Sequence, residues 1–309
     1  MALDEPIPVR VIYSLVDPEE IERVVGGEYD LGRPESCRLV FAGHNDTYEV
    51  RAGGRRFAFR LQSRKWWKRG ESDARFELDL LTHLHRRGVP VIQPIRRRNG
   101  DSLGSIRAPE GDRFYSLFTW AEGAIVDDSE LRTDQTLLIG RTMAAIHVAA
   151  DEFVTDHTRY RLDEATLLDH SLNELADDIR AADADDVRTI EHYVEEIRAR
   201  LAEFDPGPGG WGIIHGDVYW ANLHFTPDNR ITVFDFDLCG YGWRAYDLAY
   251  YYTRIPEPVR AAALTGYQSV RKLSAAELDM LTTFGRLAWI RADGRPVPRL
   301  AQLLKDPYV

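Results

Sequence analysis

The stretch that decides the fold is HGDVYWANLHFTPDNRITVFDFD, from His215 to Asp237. LHF and ITVF are β-prone runs, and TPDNR between them is a turn signal, so the segment reads as a β-hairpin. It carries four aspartates, three of them in its last ten residues. A strand that needed only a packed face would alternate apolar and polar residues, without such a density of carboxylates. The intervals are informative. Asn222 lies at the start of the first arm and Asp235 near the end of the second, so they meet at the open end of the hairpin. Asp217 sits on the loop just before. Mg²⁺ prefers one or two carboxylate or amide oxygens, completed by phosphate and water. Phosphoryl transfer asks for such a metal site and a carboxylate that accepts the proton of the attacking hydroxyl. One aspartate here would read as a structural carboxylate in a buried turn; three polar residues at these spacings read as a site.

His215, Asp217 and Asn222 form H-x-D-x-x-x-x-N, followed a hairpin later by Asp235-Phe236-Asp237, where protein kinases carry D-F-G. Gly216 stands where those kinases usually carry Arg. The arrangement resembles the aminoglycoside phosphotransferase and choline-kinase-like family, phosphotransferases with a protein-kinase-like fold. FDFDLCGYGWRAYDLAYY, from Phe234 to Tyr252, strengthens the likeness: a strand-end aspartate, a glycine-rich turn, then Tyr-Asp-Leu-Ala. GHNDTYEV, FAFRL, ARFELDLLTHLHRRGVPV and SLFTWAEG extend it, so the resemblance runs from about Ser14 to Tyr252.

The resemblance implies an α+β, bilobal protein-kinase-like fold. The expected division is a β-rich nucleotide-binding lobe over 1–117, a hinge over 118–124, and a mostly helical lobe over 125–309 that contains the catalytic hairpin. It implies ATP as phosphate donor and Mg²⁺ as metal. Asp217 is then the catalytic base, Asn222 and Asp235 the metal ligands, and His215 and Asp247 the residues that orient the loop. Asp237 is expected to meet a second ion or the substrate; strand alternation would set it on the same face as Asp235. In the first lobe the phosphate-gripping cation falls on Arg60, in RRFAFRLQ, where the family commonly has Lys. Arg holds phosphate oxygens bidentately and keeps its proton. Glu77 is its expected partner. Gly43 and Asn45, in AGHNDTYEV, take the place of a glycine-rich phosphate loop. Phe118, Thr119 and Trp120 are expected to meet adenine through their backbone.

The flanking sequence agrees with this division. TYEVRAGGRRFAFRL is two β-runs split by Ala-Gly-Gly, and SDARFELDLLTHLHRRG has a helical apolar stripe that ends at Gly88. DPEEIERVVGGEYDLG reads as a short helix with Asp17 as N-cap and Gly26-Gly27 as its stop. Past Gly123 the pattern turns helical. DQTLLIGRTMAAIHVAADEF fits one helix, with His147 a core histidine, and DADDVRTIEHYVEEIRARLAEF another, with Ile190, Tyr193, Val194, Ile197, Leu201 and Phe204 on one stripe.

The chain has 309 residues, 44% hydrophobic and 29% charged, with a formal net charge of −11. The composition is that of an ordinary globular protein. The two cysteines, Cys37 and Cys239, form no disulfide framework or zinc spacing. No apolar run approaches a membrane span and MALDEPIPVRVIY has no signal-peptide pattern, so the expectation is a cytoplasmic protein without a membrane partner. Charge is uneven. Residues 51–113 carry 16 basic against 7 acidic side chains, and 151–204 carry 6 against 16. A basic segment suits a nucleotide, and an acidic one suits a cationic substrate. The expected acceptor is therefore a small hydroxylated amine such as an aminoglycoside, choline, homoserine or another amino alcohol. Trp66-Trp67, set among Arg64, Lys65, Lys68 and Arg69, would suit stacked bases, but the net charge argues against a nucleic-acid partner. Two alternatives stand beside the small-molecule kinase: a protein Ser/Thr kinase like the family's bacterial stress-response member, and a nucleotide-binding regulator without turnover.

Overall fold

The computed structural model describes residues 10–63, 70–291 and 296–308. The Trp66-Trp67 segment and the first nine residues lie outside them. The chain divides into two compact units, Met1–Thr82 with Ile92–Trp120, and His83–Val91 with Ala121–Val309.

The first unit is built on an antiparallel sheet. Helix α1 (Pro18–Glu28) precedes strands β1 (Pro34–Ala42), β2 (Asn45–Ala52) and β3 (Arg55–Gln62). Helix α2 (Glu71–Arg86), β4 (Pro94–Ile95), β5 (Gly104–Ala108) and β6 (Gly111–Thr119) follow. The order is β1-β2-β3-β6-β4, with β5 also on β6. Gly53 and Gly54, both at positive φ, make the tight β2–β3 turn that Ala-Gly-Gly signalled. Alternate residues Tyr48, Val50 and Ala52, then Phe57, Phe59 and Leu61, then Tyr115 and Leu117 face one core, joined by Ile21 and Val25 of α1 and by Tyr29 just after it. The Phe59 and Tyr115 rings stack at 5.0 Å.

One sequence expectation fails here. Gly26 and Gly27 do not stop α1, which continues to Glu28. A Cβ at Gly26 would meet the Pro34 ring at 3.2 Å, so this glycine serves a close approach to β1 rather than a helix end.

The second unit is mostly helical. Its elements are α3 (Thr133–Ala149), β7 (Arg161–Leu162), an irregular run with a π-turn at Ala165–His170, α4 (Ser171–Glu174) and α5 (Ala176–Arg180). Next come α6 (Ala184–Glu203), β8 (Trp211–Ile214), β9 (Leu223–Phe225), β10 (Ile231–Val233) and β11 (Gly240–Trp243). It ends with α7 (Arg244–Tyr252), α8 (Glu257–Gln268), α9 (Ala275–Asp279), α10 (Leu281–Arg291) and α11 (Val297–Lys305). Of the α6 stripe, Ile190, Ile197 and Leu201 are buried. Helices α3 and α8 pack closely because each offers a glycine: a Cβ at Gly140 or Gly266 would lie 2.0 Å from a carbonyl oxygen of the other helix. Among the described residues no helix is long and apolar enough to cross a membrane.

The fold is thus α+β, a sheet unit followed by a helical unit that contains the β9–β10 hairpin. That hairpin is held at both edges. Phe225 pairs with Ala124 through N–H···O bonds of 2.8 and 3.0 Å, and Val233 N–H bonds Pro90 O at 2.8 Å. Gly123 makes the first contact possible. It sits at φ 87°, and a Cβ there would be 2.1 Å from Phe225 O.

Candidate active site

The predicted turn closes the hairpin. Thr226 N–H bonds Arg230 O at 2.9 Å, and Asn229 adopts φ 60°. The arms pair Leu223 with Val233, and Phe234 N–H bonds Asn222 O at 3.1 Å. Asn222 and Asp235 therefore both stand at the open end. Strand geometry stops there. Asp235 is left-handed (φ 61°, ψ 61°), and Phe236–Leu238 form a 3₁₀ turn. A non-glycine residue in this region is strained, which the surroundings must hold. Period-two alternation consequently does not operate. Asp237 is buried while Asp235 is half-exposed, so the two do not share a strand face as alternation had suggested. Arg159 fixes the segment beyond, donating to Asp237 O and, from Nε at 2.6 Å, to Cys239 O.

Asp217 is half-exposed on the loop between β8 and the hairpin. The Asn222 side-chain amide donates to its main-chain oxygen at 3.0 Å and to its Oδ2 at 3.1 Å. The Tyr250 hydroxyl donates to its Oδ1. The Asn222 amide nitrogen is committed to Asp217, which leaves Oδ1 as the acceptor of the side chain. His215 stitches the loop to the hairpin. Its Nδ1 accepts the Asp217 N–H at 3.2 Å, which leaves the Nε2 proton for Phe234 O at 3.1 Å.

Asp247, on α7, holds the loop from below. It is fully buried and accepts the His215 and Gly216 N–H groups, each at 2.8 Å, on its two oxygens. Behind it lies a relay that no local sequence pattern reveals. His147 on α3 donates from Nε2 to Asp247 at 3.0 Å, and its Nδ1 accepts the Tyr267 hydroxyl of α8 at 2.8 Å. Arg271 donates to the Tyr267 oxygen at 3.2 Å and pairs with Glu277 at 2.8 Å. The glycine-mediated contact of α3 with α8 brings His147 and Tyr267 together.

Burial alone would raise the Asp247 pKa, but the His147 bond and the loop amides outweigh it and hold the carboxyl below its ordinary 3.8. Burial lowers His147 below its ordinary 6.5, against the pull of Asp247. Both shifts act in one direction. A depressed carboxyl contributes stability that is lost as pH falls through its folded pKa. A histidine kept neutral resists the proton that the unfolded chain takes up near 6.5. Stability should therefore decline as pH drops below about 6.5, by up to about 1.4 kcal/mol per pH unit for each proton taken up. Urea midpoints between pH 8 and 5 check this; a flat profile would contradict it.

Gly216 shows why the loop carries glycine beside Asp217. It sits at φ 78°, and a Cβ would be 2.6 Å from Leu238 O and 3.0 Å from the Leu162 side chain.

In the first unit, Arg60 and Glu77 form a bidentate pair, Nη1 to Oε1 at 2.8 Å and Nη2 to Oε2 at 2.6 Å. Arg60 is 8% exposed and Glu77 1%. Such a fork is a strong, geometrically specific contact. The Arg60 guanidinium also lies 5.0 Å from the Phe118 ring centroid. Gly43 and His44 form the turn between β1 and β2, with Gly43 N–H on Asn45 O at 3.2 Å and Asn45 Oδ1 accepting Ser63 N–H at 3.3 Å. Phe118 is buried within β6, and Thr119 N–H bonds Gln93 O at 2.9 Å. Trp120, at the end of the unit, lies under the Arg56 guanidinium.

The sequence did not point to Tyr250, Tyr267, Arg271 or Glu277. For Tyr250 a signal existed: in YDLAYYY, Tyr250 follows Asp247 by three residues, the spacing that puts two side chains on one helix face.

Among known proteins the chain is similar to the homoserine kinase of Agrobacterium fabrum, 25% identical over 91% of this chain and 85% of that one. Its fold is that of an amicoumacin kinase solved with AMP-PNP, Ca²⁺ and Ami (TM-score 0.76, 18% identity, 95% of this chain and 93% of that one). It is equally that of a microcompartment-associated aminopropanol kinase (TM-score 0.76, 24% identity, 94% and 95%). The family model described as "Phosphotransferase enzyme family" matches residues 40–281, and the chain belongs to that family.

Proposed function

We propose that the protein transfers the γ-phosphate of ATP to the hydroxyl of a small molecule, with a divalent metal, Mg²⁺, as cofactor. The observation that carries this reading is the half-exposed Asp217 carboxylate, oriented by the Asn222 amide at 3.1 Å beside Asp235. Asp217 takes the acceptor's proton. Asn222 Oδ1 and the Asp235 carboxylate are hard oxygen donors of the kind Mg²⁺ takes, with phosphate and water completing its shell. Bound there, the metal would neutralise charge on the transferring phosphoryl group. Asp237, two residues on, is the candidate for a second ion or a substrate contact. Arg60, gripped by Glu77, is the phosphate-binding cation of the first unit; the Gly43–Asn45 turn and Phe118 to Trp120 are its candidate phosphate and adenine contacts. His215 and Asp247 hold the loop.

The acceptor is proposed to bear an amine. The likeness to the aminopropanol kinase supports this, alongside the homoserine kinase. The acidic segment 151–204 supports it less than its charge suggested. Asp177 pairs with Arg180, Asp185 with Arg188, and both Glu164 and Asp169 with Arg198, on the surface.

A thermal-shift screen tests the reading. ATP with Mg²⁺ should raise Tm, and a hydroxylated amine should raise it further. A ligand at a hundred times its Kd adds about 2.7 kcal/mol to the native state. No shift with ATP and Mg²⁺ would contradict it.

A further inference from the structure

Among the described residues, two arginines set against the Tyr250 ring have no carboxylate partner. Arg254, half-buried, donates only from Nη1, to Tyr250 O at 3.1 Å and to the Thr253 hydroxyl. Its guanidinium lies 3.5 Å from the Tyr250 ring centroid and 5.1 Å from that of Trp289. Tyr250 is the residue whose hydroxyl bonds Asp217. Arg291 donates from Nη1 to Gly216 O and, at 3.4 Å, to the Tyr246 hydroxyl, and lies 6.0 Å from the same Tyr250 ring. Its Nη2 is buried and without a partner among the described residues. No described residue forms an ion pair with either arginine.

A buried donor without a partner is costly. Arg254 also acts on the Tyr219 phenol, which burial and the Asp217 and Asp235 carboxylates shift upward while Arg254 opposes them. It therefore lies within electrostatic reach of a side chain that both carboxylates also reach. Arg254 thus stacks on the ring whose hydroxyl bonds Asp217.

We propose that Arg254, backed by Arg291 and stacked on Tyr250, forms an anion subsite for a carboxylate carried by the acceptor. The substrate is then a hydroxy acid or a hydroxy amino acid, rather than a simple amino alcohol. This rests on the phosphotransfer reading above and narrows its substrate class. An amine is compatible with it; the carboxylate decides.

The test uses pairs that differ only by a carboxylate: homoserine with 3-aminopropan-1-ol, serine with ethanolamine, and threonine with 1-aminopropan-2-ol. Binding in the presence of AMP-PNP and Mg²⁺ is measured by calorimetry, and phosphotransfer with ATP by kcat and KM. The wild type should favour the carboxylate member of at least one pair about ten- to a hundredfold, the range of one charge-assisted contact. Arg254→Gln should erase that preference through KM, and Arg254→Lys should restore part of it. Preference for the amino alcohols, or binding of neither series, would overturn the subsite. So would an Arg254→Gln variant that loses kcat equally for both members, because the guanidinium would then serve the phosphoryl group. Arg254-dependent binding of a hydroxy amino acid without phosphate transfer would overturn the proposed reaction and keep the subsite.

Discussion

Asp217→Asn should lower kcat by about a thousandfold, within the 10²–10⁴ range of general acid–base catalysis, or about 4 kcal/mol of barrier. The substitution keeps the shape of the side chain. The Asn222 and Tyr250 contacts can be largely retained: the new amide oxygen accepts from Asn222, and the new NH2 donates to the Tyr250 hydroxyl, which reverses that bond. What disappears is the group proposed to take the hydroxyl proton. The nucleotide should bind as before, since the proposed phosphate grip of Arg60 and Glu77 is untouched. Rapid-quench turnover together with AMP-PNP titration separates the two effects. A kcat within threefold of wild type would remove Asp217 from the base role.

Gly216→Ala should be nearly as damaging for a different reason. The left-handed backbone costs an L-residue about 1–2 kcal/mol. The added methyl would sit 2.6 Å from Leu238 O, a backbone atom of the turn after Asp235. Overpacking of this kind costs about 1–3 kcal/mol. Relief requires the loop to move, and with it Asp217, away from the hairpin. A misplacement of about 1 Å can cost a hundredfold in rate. The expected result is a Tm several degrees lower and a hundredfold lower kcat, measured by scanning calorimetry and steady-state kinetics. Unchanged values of both would show that the loop has room that the backbone geometry denies.

The catalytic hairpin was legible because its information is local. TPDNR specifies the turn, the short β-runs set the register, and spacing then brings Asn222 and Asp235 to the open end. Arg60 and Glu77 were legible only through the family resemblance, and they meet as a bidentate pair. Local signals failed where tertiary contacts decide. Gly26-Gly27 looks like a helix stop, yet Gly26 makes room for Pro34. Asp235-Phe236-Asp237 looks like the continuation of a strand, yet the chain turns left-handed at Asp235. The support behind the loop joins His147, Asp247 and Tyr267 from three helices. Nothing near any one of them in the sequence names the other two. His147 reads correctly as a core histidine, and its partners give that core position a purpose. Four carboxylates of the acidic segment pair with three of its own arginines on the surface, whereas Arg254 and Arg291 belong to no charged run.

The most direct test of the account follows the phosphorus itself. ³¹P NMR of the protein with ATP, Mg²⁺ and the hydroxy amino acids and amino alcohols above should show the γ-phosphate signal replaced by a phosphomonoester of the acceptor. ADP should form in equal amount, and Asp217→Asn should stop the conversion while still binding nucleotide. Release of inorganic phosphate alone, or phosphomonoester formation undiminished in Asp217→Asn, would contradict it.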